Sequence, residues 1–333
     1  MSSPRRSPRP EPTASRPVAI ALALILLLVG CDAAPPSAPL RIATSPWLGT
    51  EPLFLARELG ELPPREVQLV ELVDVPQVVA ALLNGAVDGA ALTLAEALNL
   101  TARHPHFRIV LVTDYCDGAD VLFAQPGIQN VAGLVGRRIG LDDTALSVHV
   151  LNRALQSAGL SLADIHIKTL SPDEQAEAFA KGELDAVVAY DPTLSRVRAL
   201  GGKVLFDTSS IPAEISDVIV VRTDGNRERL VSRTRRLLDG WFAAVAYLER
   251  DRRDAAARMA PWLQLEPAQI EAALAKTQFP DRATNGRHLG ASPPAYIAVA
   301  NRLKATLTEA GAAGAAASVE QLFDRDLAAR LYP

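Results

Sequence analysis

Cysteine is scarce in this sequence, with two residues in 333. Cys31 ends an apolar run near the start, and Cys116 stands alone at mid-chain with no His or Lys beside it. A disulfide framework is therefore excluded, and Cys116 reads as a small buried residue rather than a reactive thiol. The apolar run Val18–Gly30 (VAIALALILLLVG) falls short of the roughly 20 residues that span a bilayer as a helix. Positive charge is not in surplus either: Lys and Arg number 34 against 38 Asp and Glu, a net −4. Residues 1–30 hold four arginines (Arg5, Arg6, Arg9, Arg16) against Glu11, which is +3, so −7 remains beyond them. Such an acidic chain is a poor partner for nucleic acid. Histidine is also sparse, with five residues. His104 and His106 alternate as metal ligands sometimes do, but no third ligand adjoins them, so a loop is the better reading and no metal or other cofactor is expected.

The arginines among Pro and Ser at the start, followed by the apolar run, have the form of a signal peptide. The run closes on Leu28-Val29-Gly30-Cys31, which resembles the bacterial lipobox, whose Cys is diacylated through its sulfur and becomes the first residue of the mature chain. On this reading residues 1–30 are a lipoprotein signal peptide and Cys31 is the lipidation site. Residues 31–39 (CDAAPPSAP) are then a Pro/Ala linker holding a domain off the extracytoplasmic, periplasmic face of a cell membrane.

Half of the chain is apolar, enough for a substantial core and, at this length, two lobes. Strand-like runs recur from Leu40–Ala43 through Val121–Ala124, Arg138–Leu141 and Ala186–Ala189 to Val218–Val221, with helical patterns between most of them. This alternation predicts α/β units with mainly parallel sheets. An internal repeat runs through them at a constant offset of 97 residues: Arg41-Ile42 matches Arg138-Ile139, Thr50 matches Ser147 as a helix cap, and Asn84–Asp88 matches Lys181–Asp185. In each copy a Gly (Gly85, Gly182) is placed to end a helix in the left-handed conformation, and an Asp precedes an apolar strand. After Val221 only helical spacing remains, at Asn226–Arg250, Pro267–Ala275, Pro293–Ala310 and Val319–Arg330, predicting helices packed outside the sheets.

The segment Leu40–Arg222 contains PWLGTEPLFLARELG, Gly85-x-x-Asp88, Thr113-Asp114-x-x-Asp117-Gly118-Ala119-Asp120, Gly133-Leu134-x-Gly136-x-x-Ile139 and Asp185–Pro192 (DAVVAYDP). In order and spacing it resembles the solute-binding proteins of ABC importers in the nitrate, sulfonate and taurine group. The resemblance implies a two-lobed type II periplasmic-binding fold with C-terminal helices, closing on a small molecule in the cleft and delivering it to permease and ATPase subunits. The lobes would be 40–118 with 222–333, and 119–221.

On that plan the ligand-binding candidates are strand ends and helix starts that face the cleft: Trp47, Gly49, Glu51, Thr93, Asp114 and Asp117 in the first lobe, and Thr144, Ser147, Tyr190 and Asp191 in the second. Trp47 offers a rigid wall, and Gly49 allows close backbone approach. Structural roles compete with these: Trp47 as core, Ser147 and Asp191 as helix caps, Asp114 and Asp117 as solvated turn residues. Helix starts favour an anion, yet these loops carry Glu51, Asp114, Asp117, Asp142, Asp143 and Asp191 and no Lys or Arg. A cationic or neutral nitrogenous ligand is therefore expected, with Asp117 and Asp191 as counter-charges and Trp47 stacking on it. An enzyme on the same fold, of the pyrimidine-precursor kind, would need a Cys/His-rich segment, and no catalytic residue is assigned. A ligand-sensing domain would need a transmembrane or catalytic segment.

Overall fold

The computed structural model describes residues 38–333 apart from 117, 192, 212–213, 264 and 310–317, and Pro39–Pro333 forms a compact unit. The residues expected to form a signal peptide, the expected lipidation site Cys31, and Asp117 lie outside the described residues. No described helix is long and apolar enough to cross a membrane.

The chain begins β1 (Leu40–Thr44), α1 (Glu51–Glu58), β2 (Val67–Glu71), α2 (Val75–Leu83), β3 (Gly89–Thr93), α3 (Leu94–Arg103) and β4 (Phe107–Cys116). It continues through β5 (Val121–Ala124), β6 (Arg138–Leu141), α4 (Ala145–Gln156), β7 (His166–Thr169), α5 (Pro172–Ala180), β8 (Ala186–Ala189), α6 (Thr193–Arg198) and β9 (Lys203–Asp207) to β10 (Ser216–Arg222). The rest is α7 (Arg227–Arg250), α8 (Arg252–Leu263), α9 (Pro267–Leu274), β11 (Thr277–Gln278), α10 (Arg282–Gly290), α11 (Ile297–Glu309) and α12 (Arg325–Leu331).

The strands form two sheets, ordered β11-β4-β10-β3-β1-β2 and β7-β6-β8-β5-β9. Each is mixed rather than mainly parallel. Three parallel strands (β2-β1-β3 and β7-β6-β8) are continued by an antiparallel one, β10 or β5, because those two strands enter their sheets after the chain has crossed between lobes. The chain crosses once between β4 and β5 and returns between β9 and β10. Since β10 pairs with both β3 and β4, the 221/222 division expected from the sequence falls inside a strand of the first sheet.

The repeat is physical. Arg41 donates its backbone N–H to Asp88 Oδ2 at 2.9 Å and its guanidinium to Gly85 O at 3.2 Å. Arg138 does the same to Asp185 Oδ2 at 2.9 Å and to Gly182 O at 2.9 Å. Gly85 (φ 72) and Gly182 (φ 69) stand in the left-handed conformation where α2 and α5 end. The caps diverge from expectation. Thr50 donates its hydroxyl back to Trp47 O at 2.9 Å and makes no side-chain cap. Ser147 lies in the first turn of α4, which is capped by Thr144, whose Oγ1 accepts from Ser147 N at 3.1 Å.

The first sheet is covered on both faces, and the middles of β3, β4 and β10 are accordingly apolar. One core joins α1 and α7–α9 around Trp241; the other joins α2, α3 and α10–α12 around Phe107 and Tyr296. α8, α10 and β11 escape the sequence pattern. α8 carries Pro261 among alanines and charges, and α10 is polar on most faces, held instead by Asn285, which accepts from Val112 N at 2.7 Å. In the second sheet α4 covers one face, and α5 and α6 the other.

Candidate functional site

A cavity of about 600 Å³, its open mouth included, opens where the ends of β1, β3 and β10 face the start of α4 and the residue after β8, Tyr190. Trp47 forms one wall. The loop that carries it belongs to the first sheet, yet its ring packs against the apolar cluster of the second and meets Tyr190 edge to face, centroids 5.6 Å apart and planes at 88°. Its indole nitrogen donates to Asp217 Oδ2 at 2.6 Å. Thr93, which caps α3 by accepting from Glu96 N at 3.2 Å, and Thr144 also line the space.

The floor and sides are acidic: Glu96, Asp120, Asp142 and Asp217 all line the cavity, and no Lys, Arg or His does so among the described residues. Asp142 is well satisfied. It accepts from Thr144 Oγ1 at 2.8 Å, from Ser147 Oγ and from Tyr190 Oη at 3.4 Å, and burial still raises its pKa above the ordinary value. Burial, then the neighbouring Asp142, holds the Tyr190 phenol firmly protonated. Burial and then the hydrogen-bonded Asp114 carboxyl push Asp217 well above the carboxylate range, so this pair retains a proton. Glu96 is 5% exposed and Asp120 is 2% exposed, and burial pushes each up to about 7. Glu96 Oε2 and Asp120 Oδ2 have no hydrogen-bond partner.

The structure thus brings Trp47, Thr93, Thr144 and Tyr190 together at one cavity and leaves the other candidates around it. Gly49 is buried, and its close approach is to protein rather than to the open space: a Cβ there would collide with Asp114 Oδ2 and come within 2.6 Å of Trp47 Nε1. Asp114 lies beneath Trp47, where its Oδ1 accepts from Thr113 Oγ1 at 2.9 Å, and it is buried rather than a solvated turn residue. Glu51 is buried at the start of α1 and pushed up to about 8 by burial and then by Glu71, away from the cavity lining. Ser147 is buried with its hydroxyl committed to Asp142. Asp191 accepts from Ser195 N at 2.9 Å and Ser195 Oγ at 2.6 Å and borders an adjoining depression that meets the cavity at Trp47.

Glu96, Asp120 and Asp217 were not among the sequence candidates. Glu96 follows Thr93 in the pattern Thr-x-x-Glu, which ordinarily signals a capping box. Its carboxylate reaches across to α4 instead, where Oε1 accepts from Leu146 N at 3.1 Å. Asp217 carried a usable signal, an acid one residue inside an otherwise apolar buried strand, where charge needs a partner.

A family model described as the NMT1-like family matches residues 33–264. An Escherichia coli (strain K12) protein whose name describes it as an aliphatic sulfonates-binding protein is 35% identical over 85 residues, 25% of this chain and 27% of that protein. The chain thus spans about a quarter of the length of the curated relatives it matches. In overall structure it is similar to the alkanesulfonate-binding protein of Xanthomonas axonopodis pv. citri bound to MOPS, with a TM-score of 0.70 and 22% identity over 87% of this chain and 99% of the other. The periplasmic aliphatic sulphonate binding protein of Escherichia coli gives 0.69 and 21% over 87% and 99%.

Proposed function

The chain belongs to the NMT1-like family, and from that membership and the cleft we propose that it is a lipid-anchored extracytoplasmic solute-binding protein. It captures a small molecule between its lobes and presents it to the permease and ATPase subunits of an ABC importer of the nitrate, sulfonate and taurine type. The fold is the two-lobed α/β fold of periplasmic binding proteins. The anchor rests on Leu28–Cys31, and labelling with radioactive palmitate that disappears in Cys31→Ser tests it.

The ligand is cationic or neutral and nitrogenous, such as an amine, amidine or pyrimidine, rather than a sulfonate. One observation carries this: the cavity is lined by Glu96, Asp120, Asp142 and Asp217 with no basic side chain among its described residues. An anion seated there is repelled to the extent that Glu96 and Asp120 ionise, which sets in around pH 7. A cation meets carboxyl oxygens on one side and the Trp47 and Tyr190 rings on another. Of the counter-charges expected from the sequence, Asp191 accepts from Ser195 and borders the adjoining depression, and Asp117 lies outside the described residues. Calorimetric titration of the chain lacking its signal peptide, with taurine, nitrate and a panel of small amines and amidines, tests the ligand class. Tight binding of an anion with none of any cation overturns it.

A further inference from the structure

The first turn of a helix presents free N–H groups and the positive end of its dipole, and so attracts an anion. In α4, twelve residues long, that turn points into the cavity, but its donors are already taken by the protein. Ser147 N donates to Thr144 Oγ1, and Leu146 N donates to Glu96 Oε1 at 3.1 Å. The Ala145 amide also favours the charged form of the same carboxylate. Glu96 comes from α3 of the first lobe and α4 belongs to the second, so this hydrogen bond ties lobe to lobe across the cleft. Its other oxygen, Oε2, is buried at the cavity with no partner, as is Oδ2 of Asp120.

We propose that Glu96 determines the specificity of this cleft: it fills the anion seat at the start of α4 with a carboxylate of the protein's own, and with Asp120 it offers two unpartnered oxygens to the positive head of a small organic cation. The inference rests on the solute-capture reading above and adds the residue that sets the sign of the ligand. A bound sulfonate would have to displace Glu96 from the Leu146 amide. A guanidinium or alkylammonium head needs only to approach the free oxygens, its N–H groups donating to both.

The test compares wild type, Glu96→Ala and Glu96→Gln, titrated with methanesulfonate and with guanidinium. Wild type gives no measurable heat with methanesulfonate, and Glu96→Ala, with the seat vacated, gains methanesulfonate affinity of about tenfold or more and loses guanidinium affinity by a like factor. If Glu96→Ala fails to fold, Glu96→Gln decides, since it keeps the volume and an oxygen for Leu146 N–H but removes the charge; a smaller gain for methanesulfonate and a loss for guanidinium are expected. Anion affinity unchanged from wild type in the folded variant overturns the role of Glu96. That outcome is separate from failure of the underlying reading, in which wild type itself binds methanesulfonate tightly. Where guanidinium is too small to bind any of the proteins, the methanesulfonate arm still decides by gain or absence of gain.

Discussion

The indole nitrogen of Trp47 donates to Asp217 Oδ2 at 2.6 Å, joining residues 170 apart in the chain. This bond satisfies one oxygen of a buried carboxyl pair, whose pKa burial raises, and at the same time fixes the plane of the ring against the edge of Tyr190. The ring is half-buried, between the apolar cluster of the second sheet and the cavity. Trp47→Ala is expected to weaken ligand binding by about tenfold or more while the protein still melts cooperatively, since the ring shields only part of its apolar surface from water and its removal leaves one buried acceptor unpaired at about 1–3 kcal/mol. Trp47→Phe keeps an aromatic face and loses the N–H, and should fall between. Loss of the folded state in Trp47→Ala, seen by circular dichroism, would make the ring a structural support.

Stability should respond to pH through Glu96 and Asp120. Each is pushed up to about 7 by burial, so between roughly pH 4 and 7 the folded chain keeps protons that the unfolded chain has released. Folding stability without ligand therefore falls as pH rises through that window, by on the order of 3 kcal/mol for one such group, and Glu51, pushed up to about 8 by burial, extends the fall. His106 and His288, whose pKa values are lowered by burial, act in the opposite direction over part of the same range. Asp88 and Asp185, held down by their arginines, lose their contribution only below the ordinary carboxylate range. The clean measurement is the difference in melting temperature between wild type and Glu96→Gln from pH 5 to 8: the variant gains on wild type as pH rises. A bound cation shows the reverse trend, because it needs the carboxylates charged. A difference that stays constant with pH would contradict both expectations.

The layout of the fold was legible because its signals are local. β5, β6 and β8 lie where their apolar runs predicted, and the 97-residue offset joining Arg41 to Arg138 emerges as two copies of one hydrogen-bonded latch. The cavity was half legible. Trp47, Thr93, Thr144 and Tyr190 sit at strand ends and helix starts, where topology alone directs them to the cleft. Glu96 and Asp217 act through partners 50 and 170 residues away, and no local pattern announces such pairs. Asp191, a strand-end acid before Pro192, stands beside the cavity rather than in its lining: its oxygen is committed four residues on to Ser195, and it borders the adjoining depression.

Gly49 is held to glycine by its neighbours rather than by its backbone angles. A methyl group there would lie 2.6 Å from Trp47 Nε1 and 2.7 Å from Asp114 Cγ. Both atoms belong to the assembly that orients the ring, so neither can yield without breaking the Trp47–Asp217 bond or parting the carboxyl pair. Gly49→Ala is expected to cost about 1–3 kcal/mol, as overpacking does, and to lower ligand affinity alongside. Chemical denaturation and titration calorimetry on the same preparation check this. Full stability with full affinity would show that the loop relaxes freely.

The two latches allow a quantitative comparison within one chain. Asp185 accepts from Arg138 N and Nε, both at 2.9 Å, with its side chain 17% exposed. Asp88 accepts the equivalent bonds from Arg41 and also takes Arg233 of α7 at 2.8 Å, which ties the first C-terminal helix to the sheet. Removing either carboxylate strands a backbone N–H and an arginine, so Asp185→Ala should cost about 1–3 kcal/mol. Asp88→Ala should cost more, because its second arginine, Arg233, lies at 2.8 Å and is largely buried, whereas the second arginine at Asp185, Arg137, lies at 3.7 Å and is exposed. The sites share no residue and sit in different sheets, so in a single cooperative unfolding transition the double variant should show the sum of the two losses within about 0.5 kcal/mol. Urea denaturation measures all three. Separate transitions in the double variant, each tracking one lobe, would show instead that the lobes unfold independently and that each latch guards only its own half.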